Sequence, residues 1–198
     1  MVLPNQLTVL RIILTPVFLF FFLYDDAVMN QISLLIFMVA AATDWYDGWL
    51  ARKFNYITSW GKFWDPLADK ILTSAAFAGF IVNGVLELWM VVIIIARDFI
   101  ITGVRAYADY RNVPFPTSFY AKWKTFIQMT FLYYLLIVYT AAKIPAIYSG
   151  NENIFKYLLN EKLIYFLMLG ITIITFHSGA SYFIKHRKLI RKLFSSEN

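Results

Sequence analysis

The chain contains no cysteine. Disulfides, thiolate nucleophiles and zinc–thiolate sites are therefore excluded. Histidine is nearly absent as well: His177 and His186 are the only two, too few for a histidine-based metal centre. Charge is thin, at 15% of the 198 residues, whereas 60% are hydrophobic and the mean hydropathy is +0.61. An ordinary soluble domain carries about 25% charged residues. The balance reads as an all-α polytopic membrane protein, and the length suits one domain over residues 1–198. Residues 1–6 hold no basic side chain ahead of the first apolar run, unlike a cleaved signal peptide.

What is present is a succession of apolar runs. Six transmembrane helices are predicted, over about Leu7–Tyr24, Ile32–Ala42, Leu67–Val82, Leu88–Val104, Trp123–Ala142 and Leu163–Ile184. Pro16 is a kink candidate in the first. The second runs on into Asp44, and Arg97-Asp98 interrupts the fourth. Asn83-Gly84 reads as a turn, Tyr107–Thr117 with Pro114 and Pro116 as a loop, and Lys143–Glu161 as polar and turn-rich. An even number of spans puts both termini on one side. Arg52, Lys53, Lys62, Arg105, Arg111, Lys122 and Lys124 fall on that side, together with a basic tail over 185–198 that carries Lys185, Arg187, Lys188, Arg191 and Lys192. The positive-inside rule makes that side cytoplasmic. The net charge of +6 thus suits anionic lipid at a cell membrane rather than nucleic acid. Tryptophans 45, 49, 60, 64, 89 and 123 fall near span ends, as interfacial anchors do.

Against this apolar background the stretch Asp44–Asp69 stands out. Asp44, Asp47, Gly48, Ala51 and Arg52 share one helical face, and Gly61, Asp65 and Asp69 step by four along a second helix. Two antiparallel helices joined through Lys53–Trp60 would bring four carboxylates face to face. Like charges that close need cations between them, and hard divalent ions take oxygen ligands. The small residues Gly48 and Ala51 leave room for a flat group against the helix. Simple pairing of each aspartate with Arg52, Lys53, Lys62 or Lys70 at a membrane surface is the alternative.

A second constellation lies in spans four and five. Arg97 and Arg105 are eight residues apart and share a face. Lys122, Lys124 and Gln128 open span five, with Lys124 and Gln128 one turn apart. Ionisable residues within a span are functional candidates, and convergent cations suit a phosphate dianion. Arg97 could instead snorkel or pair with Asp98 or Asp44, and Lys122 could be a membrane anchor. His177, with Ser178, Gly179 and Ser181, makes a polar notch in span six that helix packing would also explain.

The pattern D-x2-D-G-x2-A-R-x8-G-x3-D-x3-D is filled by Asp44, Asp47, Gly48, Ala51, Arg52, Gly61, Asp65 and Asp69. It resembles the signature of the CDP-alcohol phosphatidyltransferases. Pro4-Asn5-Gln6-Leu7-Thr8-Val9-Leu10-Arg11, the Arg97-Asp98 pair with Arg105, and Lys-x-Lys-Thr-x-x-Gln are similar to the branch that makes phosphatidylglycerophosphate. Asp98 and Ala121 depart mildly from that branch, standing where a longer acid and a glycine are common.

The resemblance implies a homodimeric membrane enzyme that moves the phosphatidyl group of CDP-diacylglycerol to sn-glycerol 3-phosphate and releases CMP. It implies that Asp44, Asp47, Asp65 and Asp69 hold two divalent cations, magnesium first and manganese as the alternative, with Asp69 also the base. Asn5, Thr8, Gly48, Ala51, Arg52, Thr58 and Gly61 would contact the CDP-lipid. Arg97, Arg105, Lys122, Lys124 and Gln128 would take the acceptor. Two rivals are the same chemistry on another acceptor, such as inositol phosphate, and a divalent-cation channel or carrier. Arg52 in a cation path argues against the latter.

Overall fold

A computed structural model describes residues 3–54, 59–111, 113 and 119–194. The described residues are helical, without strands. Eight helices follow one another: α1 (Leu3–Phe22), α2 (Ala27–Phe54), α3 (Ser59–Val82), α4 (Leu88–Tyr110), α5 (Phe119–Ala142), α6 (Pro145–Tyr148), α7 (Glu152–Leu158) and α8 (Glu161–Phe194). Among the described residues, three apolar stretches, Ala27–Asp44, Phe119–Ala142 and Glu152–Arg187, are long and apolar enough to cross a membrane. Gln6–Phe22 is a shorter apolar helix.

Local chemistry sets the boundaries. Asp26 starts α2 by accepting from the backbone N–H groups of Val28 and Met29, both at 2.9 Å. Asn160 starts α8 in the same way, accepting from Lys162 and Leu163 at 3.0 and 3.2 Å. Gly84 takes a φ of +71° in the turn expected at Asn83-Gly84, a conformation that a side chain would strain. Three boundaries differ from the expectation. Helix α4 runs to Tyr110, into the anticipated loop, because no proline interrupts it before 114. The stretch Lys143–Glu161 contains two short helices, the first begun by Pro145 at its opening position. The basic segment after 184 is a continuation of α8 as far as Phe194. At 34 residues, α8 rises about 50 Å, beyond a hydrocarbon core of about 30 Å.

The interior is aromatic. Phe18, Phe22, Phe37 and Phe80 are fully buried, with ring centroids 5.4 Å apart for Phe18–Phe22 and 5.0 Å for Phe22–Phe80. Small residues let α1 and α3 approach. A Cβ on Gly79 would lie 2.6 Å from a Phe22 ring carbon, so this position accepts no larger side chain without movement. Many large apolar side chains face outward instead, among them Phe126, Phe166, Phe176 and Ile184. An outward apolar coat of this kind suits lipid rather than water.

Pairwise contacts place the functional residues at one end. The start of α1 meets the end of α2 and the start of α3 through Arg11–Asp44 and Thr8–Asp65. The later part of α4 meets the start of α5 and the later part of α8. Away from that end, Lys143 at the close of α5 donates to Asp25 in the α1–α2 turn at 3.0 Å.

Candidate active site

Helix α1 brings the first partners to the carboxylates. Arg11 is fully buried, and its Nη1 lies 2.7 Å from Asp44 Oδ1. A cation so far inside an apolar helix needs such an anion close by. One turn earlier, Thr8 Oγ1 donates to Asp65 Oδ1. Lys70 pairs with Asp69 at 3.0 Å. Asp44 and Asp69 line a small cavity of about 70 Å³ with Arg11, Thr73 and Tyr133. Arg11 joins the site as a residue the sequence patterns do not single out for it. Its signal is an arginine in the opening turns of an apolar span, the same signal that marks Arg97.

The surroundings thus neutralise part of the acidic stripe with Arg11 and Lys70. Among the described residues, no three acidic or histidine side chains are drawn close enough to hold an ion. Thr58 lies outside the described residues, as do the side chains of Asn5, Asp47, Gly48, Ala51, Arg52 and Gly61. The donor set is nonetheless all carboxylate oxygen, which fits a hard divalent cation and suits neither copper nor zinc–thiolate binding. Asp44 and Asp69 on one cavity are the part of that set already assembled.

The basic constellation divides in two. Arg97, Arg105 and Lys122 line a cavity of about 490 Å³ together with Asp69, Lys70 and Thr125. Asp109 adds a second carboxylate to its wall. Lys124 and Gln128 lie elsewhere. Lys124 is buried and donates to Asp98 Oδ1, while Gln128 Nε2 reaches Asp98 Oδ2 at 3.2 Å. Arg97 Nη1 adds a third donor to Asp98 Oδ1 at 2.9 Å. A buried carboxylate with three donors, two of them cations, is a compensated site.

Helix α8 holds the two arginines of this cavity. Ser178 Oγ accepts from Arg97 Nη2 at 2.7 Å. The Tyr182 hydroxyl accepts from Arg105 Nε at 3.4 Å, with the guanidinium carbon 5.4 Å from the ring centre. His177 points away from this contact and meets the Tyr120 hydroxyl at 3.2 Å on an exposed face. Ser178 belongs to the polar notch visible in the sequence, but Tyr182 has no signal of its own in an aromatic-rich helix.

Apolar helices that carry an acidic cavity and a basic cavity side by side make a membrane protein equipped for phosphate-bearing molecules. The chain belongs to the CDP-alcohol phosphatidyltransferase family, whose model matches residues 1–176. Members of this family are transferases of phospholipid biosynthesis and generally depend on a divalent metal. Among individual proteins, the chain is similar to the CDP-diacylglycerol–glycerol-3-phosphate 3-phosphatidyltransferase of Rickettsia typhi. The two are 34% identical over 181 residues, covering 91% of this chain and 94% of the relative. The enzyme of that name from Bacillus subtilis is 36% identical over 147 residues, covering 68% and 76%. That from Salmonella paratyphi A is 38% identical over 139 residues, covering 67% and 75%.

Proposed function

We propose that this chain transfers the phosphatidyl group of CDP-diacylglycerol to sn-glycerol 3-phosphate, forming phosphatidylglycerophosphate and CMP. The observation that carries the reading is the position of Asp69. It borders both the cavity it shares with Asp44 and the cavity lined by Arg97, Arg105 and Lys122. One carboxylate thus lies where a CDP-lipid phosphate and a phosphorylated alcohol would meet.

In the proposed reaction, Arg97, Arg105 and Lys122 bind the phosphate of the acceptor and turn its free hydroxyl toward Asp69. The hydroxyl oxygen forms a bond to the phosphorus that carries diacylglycerol. The bond from that phosphorus to the CMP oxygen breaks, and the hydroxyl proton passes to Asp69. Two divalent cations, magnesium or manganese, would be held by Asp44, Asp47, Asp65 and Asp69 and would supply neutralisation of the pyrophosphate charge. Asn5, Thr8, Gly48, Ala51, Arg52, Thr58 and Gly61 are assigned to the CDP-lipid. Lys124 and Gln128 act through Asp98, holding the wall that carries Arg97.

The same reading makes residues 1–198 one domain of six spans in the cell membrane, acting as a homodimer. The termini, the active site and the basic segment 185–198 face the cytoplasm. Because the chain has no cysteine, single cysteines report this directly. One placed at Asn151 should react with an impermeant reagent outside intact cells, and one placed at Lys53 should not; the reverse result would invert the orientation. The activity is tested by CMP release from the purified protein across a panel of acceptors. Faster release with inositol phosphate or serine than with sn-glycerol 3-phosphate would keep the family and remove this acceptor.

A further inference from the structure

Arg97 and Arg105 are two turns apart on α4, and α8 packs beside that helix. Ser178 and Tyr182 are one turn apart, so successive turns of α8 offer an oxygen to each guanidinium. The two contacts differ in kind. Arg97 is clamped in its plane, with Nη1 on Asp98 at 2.9 Å and Nη2 on Ser178 at 2.7 Å. Beside this clamp, a Cβ on Gly179 would stand 3.1 Å from Arg97 Cγ, so the glycine gives the arginine stem its passage. Arg105 rests on Tyr182 through both its Nε and the ring face. The His186 ring, 5.0 Å from the Tyr182 ring, backs the tyrosine one turn further on.

Each guanidinium also keeps one buried nitrogen, Nε of Arg97 and Nη2 of Arg105, without a hydrogen-bond partner among the described residues. Both arginines line the cavity that also contains Lys122. Two partly satisfied cations held at a set separation are pre-organised for an anion with several oxygens. A flexible arginine would lose side-chain entropy on meeting that anion, and a clamped one loses less. Ser178 and Tyr182 fall beyond residue 176, where the match to the family model ends.

We propose that Ser178 and Tyr182 are positioning residues that set the separation of the Arg97 and Arg105 guanidiniums and so determine affinity for the acceptor phosphate. The inference rests on the assignment of this cavity to a phosphorylated acceptor. Ser178 holds Arg97 and Tyr182 holds Arg105, and both arginines line the acceptor cavity, so the expected effect is on acceptor binding.

The test is steady-state CMP release by the purified full-length chain, with each substrate varied in turn. Ser178→Ala should raise KM for sn-glycerol 3-phosphate about fivefold to tenfold, and Tyr182→Phe about threefold. KM for CDP-diacylglycerol and kcat at saturating acceptor should stay within about twofold of wild type. Ser178→Thr keeps the hydroxyl and should restore the acceptor KM; restoration separates positioning from mere packing. Arg105→Ala, run alongside, reports the cavity assignment itself. If Arg105→Ala raises the acceptor KM while Ser178→Ala and Tyr182→Phe leave it unchanged, this inference falls and the cavity assignment stands. A parallel rise in both KM values, or a fall in kcat alone, also overturns it. If the wild type saturates with no phosphorylated acceptor, the assignment of the cavity falls, and this inference with it.

Discussion

The acidic and basic halves of the site are built on opposite plans. The acidic half draws its carboxylates from adjacent helices of one short stretch, Asp44 on α2 and Asp65 and Asp69 on α3, and α1 adds counter-groups through Arg11 and Thr8. The basic half comes from three helices far apart in the chain. Arg97 and Arg105 come from α4, Lys122 from α5, and Ser178 and Tyr182 from α8. In the acidic half each described carboxylate meets a counter-group, Asp44 with Arg11, Asp65 with Thr8 and Asp69 with Lys70. In the basic half the excess charge is trimmed internally, because Asp98 withdraws Lys124 and Gln128 from the cavity. In the proposed reaction the first plan takes up an external cation and the second receives a phosphate.

If that contrast is right, chelation should have the largest effect of all. EDTA should abolish CMP release, and Asp44→Asn, Asp65→Asn and Asp69→Asn should each lower kcat at least about 100-fold. Full activity in EDTA would break the comparison at its acidic side. Next comes stability. Lys124→Ala leaves the buried Asp98 short of a partner, and losing one member of a buried pair costs about 3–5 kcal/mol. Thermal unfolding in detergent should show a marked loss for Lys124→Ala and little for Arg105→Ala.

Smaller still is the effect on acceptor affinity. Arg105→Ala removes a charge-assisted contact worth about 1.5–3 kcal/mol, so KM for sn-glycerol 3-phosphate should rise about tenfold or more, with KM for CDP-diacylglycerol near wild type. Were Lys124→Ala to mimic this kinetic pattern with an unchanged melting temperature, the division of the cations would be mistaken. Least affected should be Lys122→Ala. Lys122 is exposed at the cavity edge, where screening leaves a single charge worth at most about 1 kcal/mol. A change of no more than about fivefold in the acceptor KM is expected.

The amino-acid sequence by itself determined the helical membrane class, since its long apolar runs follow from residue type alone. It also made the acidic stripe legible, because a helix puts i and i+4 on one face whatever packs against it. The turn at Asn83-Gly84 belongs to the same local category. Only the tertiary structure decided which cation serves which anion. Lys122 and Lys124 are two residues apart in one sequence motif, yet one faces the cavity and the other is buried on Asp98, because a helix turns about 200° between them. Arg11 and Asp44 lie on different helices, and no periodicity along the chain relates them. Ser178 and Tyr182 acquire a role only because α8 runs beside α4 and brings their oxygens to Arg97 and Arg105. Spacing within one helix is fixed by backbone geometry, whereas pairing between helices depends on how their surfaces pack, and that is a property of the folded chain alone.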